Sequence, residues 1–382
     1  MIEPVSTIIR NKIGSNSLTI GILGDISLHN IIPSTSIFQP LIPIIKDTDI
    51  VIANVETVIS DKDLTASKEN GIFLKSPKSS AKILKVIGVD IALLANNHID
   101  DYGQIGVFDT ISNLEEENIS VFGVKERESL LIEQNNISFE IVGFVTPYES
   151  DEYLLPYHTK NINELLPLKR NYPTAHLLYF LHGFDELYSV PFPWRVNLLK
   201  RMCNQYKPSA LICGHQHIYQ GFIHHNNTPI CLSYGNGFMN IEYHKMNPDA
   251  KIGCYTVMHF DNVGCFQIDG YLYEITKKEI KKTNINQYDR VKFNIDHIDE
   301  MWKKECFEKL DTHKYKRNVF INLLYDFYRY IKLYKSFEDI YYSMFKCYLK
   351  EKWNINFIHL SKKHKSNRIA ERVNGMLKEK AE

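Results

Sequence analysis

Ser209-Ala210-Leu211-Ile212-Cys213-Gly214-His215-Gln216-His217 is the stretch that decides how this chain reads. The apolar run at 209–213 predicts a buried strand. Two imidazoles one residue apart, just past a strand end, can turn toward one point. Gly214 is expected to let the backbone bend sharply there. Neutral imidazole suits borderline metals such as zinc, manganese or iron. Outward from this stretch the same pattern recurs. A strand at 18–23 runs into Gly24-Asp25, one at 49–55 into Glu56, one at 89–95 into Asn96-Asn97-His98, and one at 177–181 into His182. Ligands in layered α/β proteins bind at strand ends, so these clusters are expected on one rim.

Between the strands, 79–87 reads as a helix ended by Gly88, with an amphipathic helix at 106–117 and a further helix at 194–203. Residues 137–144 read as a pair of strands, and Asn226-Asn227 as the turn of a hairpin with His224-His225 exposed beside it. The segment 148–172 is polar and Tyr-rich, an expected lid. From about 281 the composition changes: Gly and Pro give way to Lys, Tyr and Phe. Phe320, Leu324, Phe327, Ile331 and Tyr334 recur at helical spacing, a second helix is expected at 336–352, and the end from Ser361 is basic. The chain therefore divides into a domain at 1–280 and a helical extension at 281–382.

The 382 residues are 44% apolar and 24% charged, enough to build a core. Formal net charge is zero, but 23 of the 45 Lys and Arg and only 14 of the 45 Asp and Glu fall in 281–382. That leaves an acidic body, suited to cations, and a basic appendix that could dock on an anionic surface or a protein partner. Simple intramolecular compensation explains the same asymmetry. The seven cysteines are scattered, with no CxxC, which argues against a disulfide framework or zinc ribbon and for reduced thiols. There is no secretory signal pattern at Met1-Ile2-Glu3-Pro4 and no apolar run long enough to span a bilayer, so the expected location is cytoplasmic. No helix-turn-helix, zinc-finger or RNA-binding signature accompanies the basic tail, so nucleic acid is not an expected partner.

Taken in order, Gly24-Asp25-Ile26-Ser27-Leu28, Ala53-Asn54-Val55-Glu56, Leu94 to Asn97-His98 with Asp101-Tyr102-Gly103, His182 with Glu186, Gly214-His215-Gln216-His217 and Ser233-Tyr234-Gly235-Asn236 resemble the CapA/PgsA capsule-synthesis family, a branch of the calcineurin-like metallophosphoesterases. The resemblance covers roughly residues 18–245. It implies an α/β fold (α+β in some schemes), a four-layer α/β/β/α sandwich of two mixed sheets flanked by helices, followed here by the C-terminal helical extension. It implies one or two divalent ions (Mn, Fe, Zn or Mg), with Asp25 and His217 serving the first, Asn97, His182 and His215 the second, and Glu56 bridging. His98 would be the general acid and Asp101 would orient its imidazole. Glu186, Asn236, His29 and Asn54 are candidate substrate contacts.

The chain departs from the pattern in three places. Ser27 stands where the wider superfamily has the histidine of Asp-x-His, so that His29 could stand in. Glu56 replaces the usual bridging aspartate, with Asn54 an alternative ligand. His182-Gly183-Phe184-Asp185-Glu186-Leu187 lacks the Trp and Tyr of the common HWGxEY segment. The expected function is metal-dependent hydrolysis of a phosphate ester, on a phosphorylated small molecule or polymer precursor, in surface-polymer synthesis. The alternative is an accessory protein of capsule or poly-γ-glutamate synthesis that binds without turnover.

Overall fold

Apolar runs with little alternation need cover on both faces, and here they fold as the parallel strands of two stacked sheets. The structure, a computed structural model, describes residues 2–13, 16–67, 71–146, 159–161, 164–165, 167–283 and 296–311. The chain divides into two compact units, Met1–His158 with Pro167–Phe307, and Thr159–Leu166 with Glu308–Glu382.

In the first unit, one sheet has nine strands. Its path runs β1 (Val5–Ile8), β18 (Gly264–Ile275), β17 (Ile252–Asp261), β2 (Leu18–Ile26), β3 (Ile50–Val55), β6 (Ile91–Leu93) and β7 (Ser120–Phe122). Off this path, β16 (Asn236–Phe238) pairs with β2, and β19 (Ile280–Lys282) with β18. The other sheet has six strands, in the order β14 (Tyr219–His225), β15 (Thr228–Tyr234), β13 (Ala210–Gly214), β12 (His176–His182), β9 (Ile137–Val145) and β8 (Ser129–Gln134). Strands β2, β3, β6 and β7 are mutually parallel, as are β9, β12, β13 and β15. A short parallel pair, β4 (Val58–Ile59) and β5 (Lys75–Ser76), stands apart. In the second unit residues 159–161 and 164–165 form the antiparallel pair β10 (Thr159–Asn161) and β11 (Glu164–Leu165).

The sheets pack face to face through one apolar cluster that joins Ile20, Ile22 and Ile52 to Ile141, Leu178, Phe180 and Ile212. The opposite face of the nine-stranded sheet is covered by helices. Leu84 and Ile87 of α2 (Ser79–Ile87) and Val107 and Leu114 of α3 (Gly103–Glu116) meet Leu23, Val51 and Ala53 there, beside the short α1 (Ile42–Lys46). Gly88 ends α2 in the left-handed region, φ 113°, where a side chain would be strained. On the far face of the six-stranded sheet lies α4 (Pro193–Tyr206), whose Tyr206 ring stacks on Tyr179 with centroids 5.6 Å apart. Helices, sheet, sheet and helix give the four layers expected.

Three expectations need adjustment or fall elsewhere. Residues 137–144 are one strand, not a pair. The partner is β8, reached through Asn135-Asn136, both with positive φ (54° and 58°) as a two-residue hairpin turn requires. The first unit extends to Phe307, past the boundary at about 280 read from composition. It takes in the start of α5 (Ile298–Asp311), whose Trp302 packs on Phe192 with centroids 5.6 Å apart. The helices expected at 320–334 and 336–352, the basic end, and most of the 148–172 lid lie outside the described residues. Cys203, Cys213, Cys231, Cys254 and Cys265 are free and buried. No helix among the described residues is long and apolar enough to cross a membrane.

Candidate metal centre

The carboxyl ends of the parallel strands in both sheets carry the polar residues. Asp25 lies at the end of β2, Glu56 directly follows β3, Asn96-Asn97-His98 follow β6, His182 ends β12, and His215 and His217 follow β13. The chain itself crosses between the sheets at this place. β15 ends at Tyr234, Gly235 turns with φ 63°, and β16 begins with Asn236 in register with Asp25. Gly24 makes the crossing possible, because a Cβ there would stand 2.1 Å from the Gly235 carbonyl oxygen.

Two triplets of potential ligand atoms result, Asp25–Glu56–His182 and Glu56–His215–His217, each with all its atoms within 4.8 Å of one another. Glu56 belongs to both. The histidines divide differently from the expectation, since His182 groups with Asp25, and His215 with His217. Contacts cross between the triplets as well, with His217 Nδ1 3.3 Å from Asp25 Oδ2. His182 Nε2 is 3.4 Å from Glu56 Oε1 and 2.8 Å from Asn97 Oδ1.

Neighbouring amides fix this set. Asn54 Nδ2 donates to Asp25 Oδ1 at 2.6 Å, and Asn54 Oδ1 accepts from Asn96 at 3.1 Å. Asn236 Oδ1 lies 3.1 Å from His217 Nδ1, which leaves Nε2 toward Glu56 Oε1 at 3.8 Å. Asn54 and Asn236 therefore work as supports of Asp25 and His217. His98 Nδ1 lies 2.8 Å from Asp101 Oδ2, which also accepts from Leu74 N at 2.7 Å, so the carboxylate is anchored and the ring orientation set. Glu186, half-buried on the loop after His182, is close enough for its charge to act on Glu56 and His217. His29 is engaged elsewhere, its Nδ1 3.2 Å from Lys75 N and its Nε2 2.8 Å from Asn30 Nδ2, and it enters neither triplet. The Ser27 hydroxyl accepts from the His29 backbone N–H at 3.3 Å.

Gly214 corrects the sequence reading. It is a regular strand residue, and the bend falls on His215 and His217, whose φ values of 90° and 56° are left-handed. Such strain persists where surroundings over-determine it, typically at functional sites. Gly214 is needed for space: a Cβ there would stand 1.9 Å from the Tyr234 hydroxyl. Two site neighbours were not given roles from sequence. Tyr234 reads as core within an apolar strand. His244 is a lone histidine in a polar segment, yet it is buried, with its ring centroid 4.1 Å from that of His217 and its Nε2 without an aligned partner.

The electrostatics match the geometry. Burial, then the charges of Asp25, Glu186 and Asp101, push the Glu56 carboxyl well above its ordinary range. Burial lowers His182 to about 3 and takes His215 well below its usual value, so both are neutral. Burial opposes ionisation of Asp25, but His217, 3.3 Å away and itself shifted upward by Asp25, outweighs it and holds the carboxyl low. Asp25 Oδ2, both Glu56 oxygens and His215 Nδ1 are sealed from solvent without an aligned hydrogen-bond donor. Unpaired buried carboxylate oxygens are costly, and facing neutral imidazoles with lone pairs they form a donor set that fits a borderline divalent cation.

Fold and centre together define an α/β sandwich protein with a carboxylate–histidine centre between its sheets, able to hold a divalent metal. The sequence matches the family described as "Bacterial capsule synthesis protein PGA_cap" over residues 19–240, and the chain belongs to that family. It is 21% identical over 283 residues to the "PGA biosynthesis protein CapA" of Bacillus subtilis (strain 168), covering 71% of this chain and 74% of that one. It is 25% identical over 250 residues to the "Capsule biosynthesis protein CapA" of Bacillus anthracis, covering 58% of this chain and 60% of that one. Among solved structures, a hypothetical protein from Thermus thermophilus superposes with a TM-score of 0.44 at 16% identity, over 68% of this chain and all of that one.

Proposed function

We propose that this chain is a metal-dependent phosphoester hydrolase serving capsule or surface-polymer synthesis, with a phosphorylated small molecule or polymer precursor as substrate. The observation that carries the reading is the convergence of Asp25, Glu56, His182, His215 and His217 from two sheets, with buried oxygens that lack donors. These residues and Asn97 would hold one or two ions of the Mn, Fe, Zn or Mg class. Such ions, when bound, supply Lewis acidity and a water of lowered pKa. His98 has the partner that a general acid needs. Asp101 takes its Nδ1–H, so Nε2 is the nitrogen left to deliver a proton to the leaving oxygen.

The test is hydrolysis of a generic phosphodiester by the full chain supplied with manganese. His98→Ala is expected to lose about 100-fold or more in turnover, in the range of general-acid effects, with metal content unchanged. Absence of metal-dependent hydrolysis, or an equally active His98→Ala protein, would overturn the hydrolase reading. A second reading is favoured by Ser27, which puts a hydroxyl where the wider superfamily has a histidine: an accessory protein that binds without turnover. Full restoration of capsule in a disruption strain by the His98→Ala or Glu56→Gln protein would favour that reading, whereas failure of both favours catalysis.

A further inference from the structure

Tyr234 is a phenol buried against the centre with no role assigned by the motifs. The residue is 1% exposed, its hydroxyl is 3.4 Å from His182 Nδ1, and Gly214 leaves open the space it fills. A phenol hydroxyl can both donate and accept. On the other side of the same imidazole, Nε2 faces Asn97 Oδ1 and Glu56 Oε1. An imidazole offers a lone pair at one nitrogen only when the other carries the proton, and a buried N–H needs an acceptor. Asn54 Nδ2, 3.5 Å from Nδ1, has only hydrogens to offer. The Tyr234 oxygen can accept.

We propose that Tyr234 is a positioning residue of the centre: its oxygen takes the His182 Nδ1–H, its own proton turns to Asp25, and Nε2 of His182 is thereby held as the cation-facing nitrogen. A hydroxyl suits both states of the site. With no cation, His182 Nε2 donates to Asn97 Oδ1 and Nδ1 accepts from the phenol. With a cation, the imidazole proton sits on Nδ1 and the phenol reverses its direction. The inference rests on the metal-centre reading above, and Tyr234→Phe tests it with little change of shape.

Manganese or zinc binding to the full-length wild type and Tyr234→Phe would be followed by calorimetry and metal analysis, which need no turnover. The expected result is affinity about 10- to 100-fold weaker in the variant, the usual effect of losing a group that orients a ligand. Nitrogen NMR of the zinc-loaded wild type should show His182 with its proton on Nδ1. Gly214→Ala, which displaces the phenol while keeping its hydroxyl, should weaken binding alike, and unchanged thermal unfolding of metal-free Tyr234→Phe guards against a folding artefact. Wild type that loads metal, with Tyr234→Phe loading it within about twofold, would overturn the proposal while leaving the centre intact. Wild type that loads no metal removes the centre and the proposal together.

Discussion

Glu56 is fully buried beside Asp25, with neither of its oxygens meeting an aligned donor, and its charge is opposed by Asp25, Glu186 and Asp101. Without a cation the protonated form is therefore favoured. The sign of the pH effect follows: a carboxyl whose folded pKa is raised supports the fold below its unfolded pKa and loses that support as pH rises through the folded one. Metal-free wild type should be less stable at about pH 8 than at about pH 5, and Glu56→Gln should flatten the difference and be the more stable protein at the higher pH. Urea unfolding in the presence of a chelator measures this, and an equal decline in both proteins would exclude Glu56 as the source. The residue was legible in sequence for the same reason: an acid at the end of an apolar strand is costly unless something partners it. Tyr234 was not, because a tyrosine inside an apolar run has the signature of core. Gly214 was misread because one residue type serves both a bend and a close approach, and only the position of the Tyr234 ring tells which.

At the scale of elements, the loop 183–192 shows what sequence patterns miss. It carries Glu186 and is laced on several sides. Leu187 N donates to Gln216 O at 2.9 Å, Gln220 Nε2 to Tyr188 O at 2.7 Å, and Phe192 N to Asp185 Oδ2 at 3.0 Å. Asp185 in turn meets Arg195 in a fully buried ion pair at 2.6 Å. Phe184 packs on Trp194 with centroids 5.3 Å apart. The last clasp comes from α5, whose Glu305 carboxylate accepts from Ser189 N and Val190 N, both at 2.7 Å. The Glu305 bonds have no local sequence signal, since their partners lie 116 and 115 residues apart. By contrast, the Asn226-Asn227 hairpin was legible because its turn is local, whereas the equivalent Asn135-Asn136 turn was passed over and both strands of a pair were sought within 137–144. Glu305→Ala removes two charge-assisted bonds and is expected to lower stability by about 2 kcal/mol. Amide exchange should speed up at Ser189 and Val190 first; unchanged exchange there would mean that the loop does not depend on α5.

At the scale of the whole first unit, the two sheets are joined by a core that apolar periodicity anticipates and by a polar seam that it does not. Asp25 and Glu56 belong to the nine-stranded sheet, and His182, His215 and His217 to the six-stranded one. A cation held by this set would cross-link the sheets, so its binding energy should appear in global unfolding and not merely in local order. At about 100 times its Kd, a metal that binds only the folded state adds about 2.7 kcal/mol. Manganese should therefore raise Tm by several degrees, and a chelator should reverse the gain. Asp25→Ala from one sheet and His182→Ala from the other should each abolish it, because either leaves the cation tied to a single layer. A gain that survives His182→Ala but not Asp25→Ala would place the cation on the nine-stranded sheet alone, and the six-stranded sheet would then supply walls to the centre without holding it.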